Sequence, residues 1–436
     1  MKGKHSMTPN EGNLSKSAER NLLITTCLGH FLSHFNMLVF PAVVLPLTTR
    51  LHLPLAEVLG ISFWMYLLFG LTALPWGIAA DRFGAKTLMT LYYGGAGLCG
   101  LAAAGWIDAP AKLALALAGI GLFSGIYHPA GLGLISKQMT RISYALGING
   151  MFGNLGLATA PLIAGLLTWV WGPRTAYLAL GILNLAGLLV MVLMPLPART
   201  AKPTRASTDN GGRGFVILLV AMMLGGIVYR GATIILPAYF EIRNQGIVVW
   251  LRELLPSGFS GNLVATAITS AIFLVGMLGQ YLGGRVAERF SLAPSYLLFH
   301  LITIPAAFAM AHAFNLPLIV CALIYFFFLL GMQPIENTLV SRLTPARWHH
   351  SAFGMKFVLT FGMGALAVKA VQAIERLYGL EMVYPALAGV SIVLVITIAL
   401  LIMRLRSGEK SRWQESWNYT KDGTAGLPDT EAGTSK

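Results

Sequence analysis

Charged residues are scarce in this chain of 436 residues: Asp, Glu, Lys and Arg together make up 11%. Soluble domains carry about a quarter, and so thin a supply cannot keep a globular surface of this size in water. Acids are the rarer sign, 17 Asp and Glu against 31 Lys and Arg. Cys27, Cys99 and Cys321 lie far apart inside apolar runs, which excludes a disulfide framework or a thiolate metal cluster. There is no H-E-x-x-H, no G-x-S-x-G, no pair of intramembrane aspartates and no Walker glycine loop. No enzyme activity and no cofactor are therefore expected. Hydrophobic residues make up 56%, so the chain reads as an all-α integral membrane protein. Nucleic-acid binding drops out despite the net charge of +14. In a membrane protein that excess marks cytoplasmic loops and anionic lipid headgroups.

A helix needs about 20 apolar residues to cross the hydrocarbon core, and twelve such stretches are present. They run over 21–47, 57–79, 87–107, 111–136, 143–169, 175–197, 214–239, 262–283, 293–314, 316–340, 352–374 and 383–403. Residues 1–20 read as a cytoplasmic tail with no cleavage site behind the first span. The polar, basic linker 198–213 separates an N-terminal six-helix bundle (21–197) from a C-terminal one (214–403). Residues 404–436 read as a disordered cytoplasmic tail. Residues 241–261 form the longest outer connection, and IVVWLRELL within it has the character of a short interfacial helix.

Lys and Arg set the orientation. With the N-terminus inside, 22 of the 31 fall in inner segments and 6 (Arg50, Lys112, Arg174, Arg243, Arg252, Arg376) in outer ones. Both termini are therefore expected in the cytoplasm. The halves also repeat: GIAADRF begins at Gly77 and GRVAERF at Gly284, after equivalent spans. Two six-helix bundles related by a pseudo-two-fold are a plan of secondary transporters.

On these motifs the sequence resembles the major facilitator superfamily, whose loop after the second helix reads G-x-x-x-D-R-x-G-x-K/R. Gly77, Asp81, Arg82, Gly84 and Lys86 match in full. The resemblance implies a gating motif. Gly77 would allow close packing and Gly84 a turn, while Asp81 would pair with a cation or a helix N-terminus across the interface between the halves in one access state. Glu288 and Arg289 survive in the second copy, where Ser291 and Ala293 replace the turn glycine and the basic residue. The fifth span resembles the superfamily's antiporter pattern through Gly147, Gly156, Pro161 and Gly165, with Ala160 and Ala164 in place of two glycines. That likeness points to export, and plain helix packing explains the residues nearly as well. A narrower likeness, to fosmidomycin-resistance-like drug exporters, rests on His30, on GIYHPAG around His128 and on FGMGALA (361–367). Ser33 and His34 stand where that branch tends to have Asn-Asp, so the coupling role of that acid does not carry over.

Few polar groups sit at membrane depth, where each charge costs at least ~2.5 kcal/mol. Glu336 is the acid inside a span; it is either a proton-coupling carboxylate or half of an ion pair with Lys356 or Arg342. Arg230, between Gly226 and Gly231, is either an anion site facing a water-filled cavity or a structural partner of backbone carbonyls or Glu336. His30 and His34 share a helix face, and His128 belongs at similar depth. Proton relay, metal ligation and helix packing all remain open for the three. The expected function is alternating-access transport of a small anionic or amphiphilic compound, coupled to protons and directed outward. A transition-metal or iron transporter, as in magnetosome membranes, is the alternative within the superfamily. A non-transporting assembly protein is the alternative outside it. The expected home is the bacterial inner membrane or one derived from it, the expected partners lipid, substrate and protons, and the expected state a monomer.

Overall fold

The computed structural model describes residues 15–194, 212–254, 258–344 and 349–422. Most of the expected linker, the start of the N-terminal tail and residues 423–436 lie outside them. Every element among the described residues is helical. The first half comprises α1 (Lys16–Leu51), α2 (Leu55–Ile61), α3 (Phe63–Leu71), α4 (Ala73–Phe83), α5 (Ala85–Gly105), α6 (Pro110–Ser124), α7 (Tyr127–Gln138), α8 (Ile142–Trp171) and α9 (Pro173–Leu193). The second comprises α10 (Gly212–Arg243), α11 (Gln245–Leu254), α12 (Gly261–Arg289), α13 (Leu292–His312), α14 (Asn315–Gly331), α15 (Gln333–Leu343), α16 (His349–Phe357), α17 (Leu366–Tyr378) and α18 (Val383–Asp422).

Among the described residues, ten helical stretches are long and apolar enough to cross a membrane. The second expected span passes only as a pair, Leu55–Leu71 and Ala73–Phe83, bent by 48°. The third is α5, 21 residues long, whose apolar content is diluted by glycines from Gly94 to Gly105. One expectation needs correction. The polar stretch is helical from 404 to 422, where α18 ends at Asp422; the rest of the expected tail lies outside the described residues. Polarity tells of water rather than of disorder, and this stretch has no proline and several straight-chain helix formers. The outer connection folds as expected around IVVWLRELL, which forms most of α11.

Packing differs between the two ends of the bundle. At the end away from the chain termini, one apolar core joins both halves and includes Val44, Tyr66, Ile234 and Phe326. Asn262 of α12 also donates there to the Ala42 carbonyl of α1 (2.9 Å) and to Glu241 (3.1 Å). At the end that carries the termini the core is split. Leu22, Tyr92 and Ile135 belong to one cluster and Leu218, Tyr296 and Ile398 to another. The halves are thus closed against each other on the far side and parted on the terminal side. Arg50 crosses to Asp108 by two bonds (2.6 and 2.9 Å) at the far end, which holds that exposed carboxyl below its usual range.

The eleventh span is not regular. After α16 the backbone widens into a π turn at Val358–Gly362, tightens into a 3-10 turn at Met363–Ala365, and resumes as α17. Wide turns of this kind need close neighbours without side chains. Gly70 of α3 and Gly226 of α10 supply them, since a Cβ on either would overlap the Gly362 or Thr360 backbone. Gly70→Ala is expected to cost about 1–3 kcal/mol through overpacking. A thermal unfolding midpoint equal to wild type would show that the contact is slack.

Candidate functional site

Where the halves part lies a cavity of about 240 Å³. That is just under the roughly 300–1,000 Å³ usual for drug-sized ligands. Its walls come from both halves. α1, α7 and α8 contribute His30, His34, His128 and Asn154, and α15 and α16 contribute Glu336 and Lys356. The π turn supplies Thr360 and Phe361.

The C-terminal wall carries a buried ion pair. Lys356 Nζ lies 2.7 Å from Glu336 Oε1, the side chains being 8% and 3% exposed. Tyr296 of α13 donates to the other carboxylate oxygen at 2.7 Å, and Lys356 also donates to Asn337. Behind Tyr296, fully buried His300 packs its ring edge-on at 4.9 Å, and neither of its nitrogens has a hydrogen-bond partner. Desolvating such a pair is expensive, and it holds only with good geometry and further hydrogen bonds. Those bonds are present, so the pair is ordered.

The opposite wall carries the three histidines. Their ring centroids are 4.9 Å (His30–His34), 5.4 Å (His30–His128) and 5.3 Å (His34–His128) apart. His30 Nδ1 faces two oxygens of Asn149, the backbone carbonyl at 2.8 Å and Oδ1 at 2.9 Å. Both only accept, so Nδ1 carries the proton and Nε2 presents its lone pair. Nε2 points at His34 Nε2, 3.2 Å away. Tyr127 donates to Asn149 Oδ1 (2.9 Å) and stacks on the His30 ring, which fixes the arrangement. His128 is nearly buried, and its Nδ1 has no partner.

Arg230 is placed differently from the expectation of a guanidinium facing the cavity. It is 3% exposed and lies outside the cavity wall, over the Tyr66 ring of the other half at 3.8 Å. Its neighbour Tyr229 lines the cavity instead. Nor does Arg230 pair with Glu336, which Lys356 has taken. Arg230 remains close enough to His34 to act on it electrostatically, as Lys356 does on His128.

The residues of the expected gating motif lie elsewhere, at the terminal end. Asp81 pairs with Lys137 (2.6 Å), both well exposed and both in the first half. In this conformation its partner thus comes from α7 of its own half. Gly84 makes the turn with φ 86°, and Gly77 faces Pro129 of its own half. Arg82 sits over Phe83. Lys86, Glu288 and Arg289 are exposed or half-buried and take no part in the cavity. In α8, Gly156 packs on the Phe31 carbonyl and Gly165 on Thr266 of α12, while Gly147 meets nothing. Beside Pro161, the Leu162 N–H donates to Ser270 Oγ of the other half (2.9 Å).

Sequence reading missed Lys356 as a cavity residue, although a lysine inside an apolar span was the available signal. Asn149, Tyr296 and His300 gave no signal, because their roles follow from contacts between helices. Asn154, Gln280 and Gln333, which hydrogen-bond in a row from one half to the other, were equally hidden.

The family profile of the Major Facilitator Superfamily matches residues 26–368. A "Putative metabolite transport protein" of Haemophilus influenzae is 20% identical over 399 residues, covering 88% of this chain and 96% of that one. Among solved structures, the nucleoside transporter NupG superposes with a TM-score of 0.71 at 15% identity, over 87% of this chain and 99% of that one. The peptide transporter POT in complex with sulfate gives 0.67 at 17% identity, over 88% and 94%.

Proposed function

This chain belongs to the Major Facilitator Superfamily and is a secondary transporter, and on that premise we propose that it moves a small anion together with a proton. The observation that carries this reading is the Lys356–Glu336 pair on the cavity wall. While Glu336 is ionised it occupies the ammonium. Once Glu336 takes a proton, Lys356 is left as a buried cation beside a cavity, and an anion is its natural partner. The groups facing Glu336 are Lys356, Tyr296 and His300; His34 and His128 stand across the cavity. Linkage fixes the sign: anion and proton strengthen each other's binding, so affinity rises as pH falls, and both are carried in the same direction.

The positive-inside bias supports placing the open, terminal end toward the cytoplasm, which makes this an inward-open conformation in the inner membrane or one derived from it. Outward antiport is the second reading. It is favoured by the close packing of Gly156 and Gly165 in α8 and by the likeness of the His30 and His128 segments to drug exporters. Flux of small carboxylates, phosphate and phosphonates into proteoliposomes separates the two. With the terminal end outward, co-transport concentrates an anion when the outside is acid, and antiport does so when the lumen is acid. If no anion accumulates under either gradient, the proposal fails.

Asp81→Asn tests the gating motif. The exposed Asp81–Lys137 pair contributes at most about 1 kcal/mol to stability, so the folded protein should hardly change. Turnover should still fall roughly tenfold, which needs only about 1.4 kcal/mol on one access state. Wild-type flux from correctly inserted Asp81→Asn protein would remove the gate assignment.

A further inference from the structure

We propose that His30, His34 and His128 form a transition-metal site in the cavity, and that the anion carried is a metal chelate whose metal these imidazoles ligate. The metal is here part of the cargo, and the chelate half of the proposal rests on the anion reading above.

Geometry carries the metal half. Imidazole nitrogens bind such ions at about 2.0–2.1 Å. On a tetrahedral ion that places the nitrogens about 3.4 Å and the ring centroids about 5 Å apart. The three centroid separations here are 4.9, 5.3 and 5.4 Å, and the His30–His34 nitrogens are 3.2 Å apart. One ligating atom from each ring lies within 4.8 Å of the others, so modest rotation of His128 completes the set. The second shell is also in place. Ligating histidines commonly donate their other N–H to a carbonyl, as His30 does to Asn149. That bond leaves Nε2 unprotonated, its lone pair turned to His34 Nε2. The unpartnered Nδ1 of nearly buried His128 is a further free donor atom.

Electrostatics carries the chelate half. Three neutral imidazoles leave the full charge of a divalent ion uncompensated. Arg230 acts on His34 and Lys356 on His128, both as cations. Glu336, the carboxylate lining the cavity among the described residues, is already held by Lys356 and Tyr296. A bare cation therefore meets repulsion, whereas one bearing a polycarboxylate arrives neutral or negative. Three protein ligands leave a coordination position for that carboxylate. The two walls thus suit the two parts of one substrate, nitrogen donors for the metal and an ammonium for the anion.

The test uses purified full-length protein with Co(II) and citrate as probes. Co(II)–citrate is expected to bind at least tenfold more tightly than either component alone. The visible absorption of Co(II) should change on binding to that of an ion with nitrogen ligands, a readout that needs no variant. His30→Ala, His34→Ala and His128→Ala should each remove the tenfold gain of Co(II)–citrate over citrate alone. Equal affinity for Co(II) with and without citrate would overturn the proposal, as would an unaltered Co(II) spectrum. Citrate or phosphate binding that ignores Lys356 would instead sink the anion reading, so the two failures are told apart.

Discussion

Glu336→Gln is expected to abolish accumulation driven by a pH gradient while leaving exchange of anion across the membrane intact. Gln has the shape and neutrality of a protonated carboxyl, and its oxygen still accepts from Tyr296. Lys356 is then free for the anion at every pH, so the pH dependence of binding flattens. Steps that need the proton to leave have no proton to release. Breaking a buried pair costs about 3–5 kcal/mol when one charge is left alone, so lost flux by itself is ambiguous. Counterflow resolves this, because an unfolded protein exchanges nothing. The double variant Glu336→Gln, Lys356→Met provides a second check: it leaves no orphan charge and should recover stability without recovering coupling. If Glu336→Gln still concentrates anion against its gradient, the carboxylate only holds the fold together.

Lys356→Gln should cost anion affinity about tenfold to hundredfold. A hydrogen bond to a charged partner contributes about 1.5–3 kcal/mol, and each 1.4 kcal/mol is a factor of ten. The variant also removes the competitor for Glu336, so any residual binding should no longer strengthen on acidification. Lys369→Gln is the matched control. That residue is also cationic and in the same span, but it is exposed and sits over Phe63, away from the cavity. Titration of an anion panel against the three proteins reads the difference. Equal affinity of wild type and Lys356→Gln would end the counter-charge assignment.

Local chemistry decided what was legible beforehand. Span positions follow from runs of about 20 apolar residues, a demand the bilayer makes of each segment separately. The turn after the second span was visible for the same reason: Gly84 makes it wherever the segment is placed. The partner of Asp81 was not visible, because an exposed carboxylate takes whichever cation packing brings near. The helix that runs on to Asp422 was not visible, because polarity excludes the membrane and says nothing against a helix.

The sequence by itself determined that this chain crosses a membrane many times. It also determined that very few charges sit at depth: Glu336, Arg230 and Lys356 stand out because hydrocarbon tolerates so few. Only the tertiary structure decided what those charges do. Lys356 rather than Arg230 meets the carboxylate, and Arg230 is capped by Tyr66. The three histidines come from two helices separated by more than ninety residues, and Asn149 on a third sets the tautomer of one of them. Such pairings depend on how helices cross and rotate, which is set by packing many small contacts at once. No short stretch of sequence encodes that rotation, so the site existed only after the helices were put together.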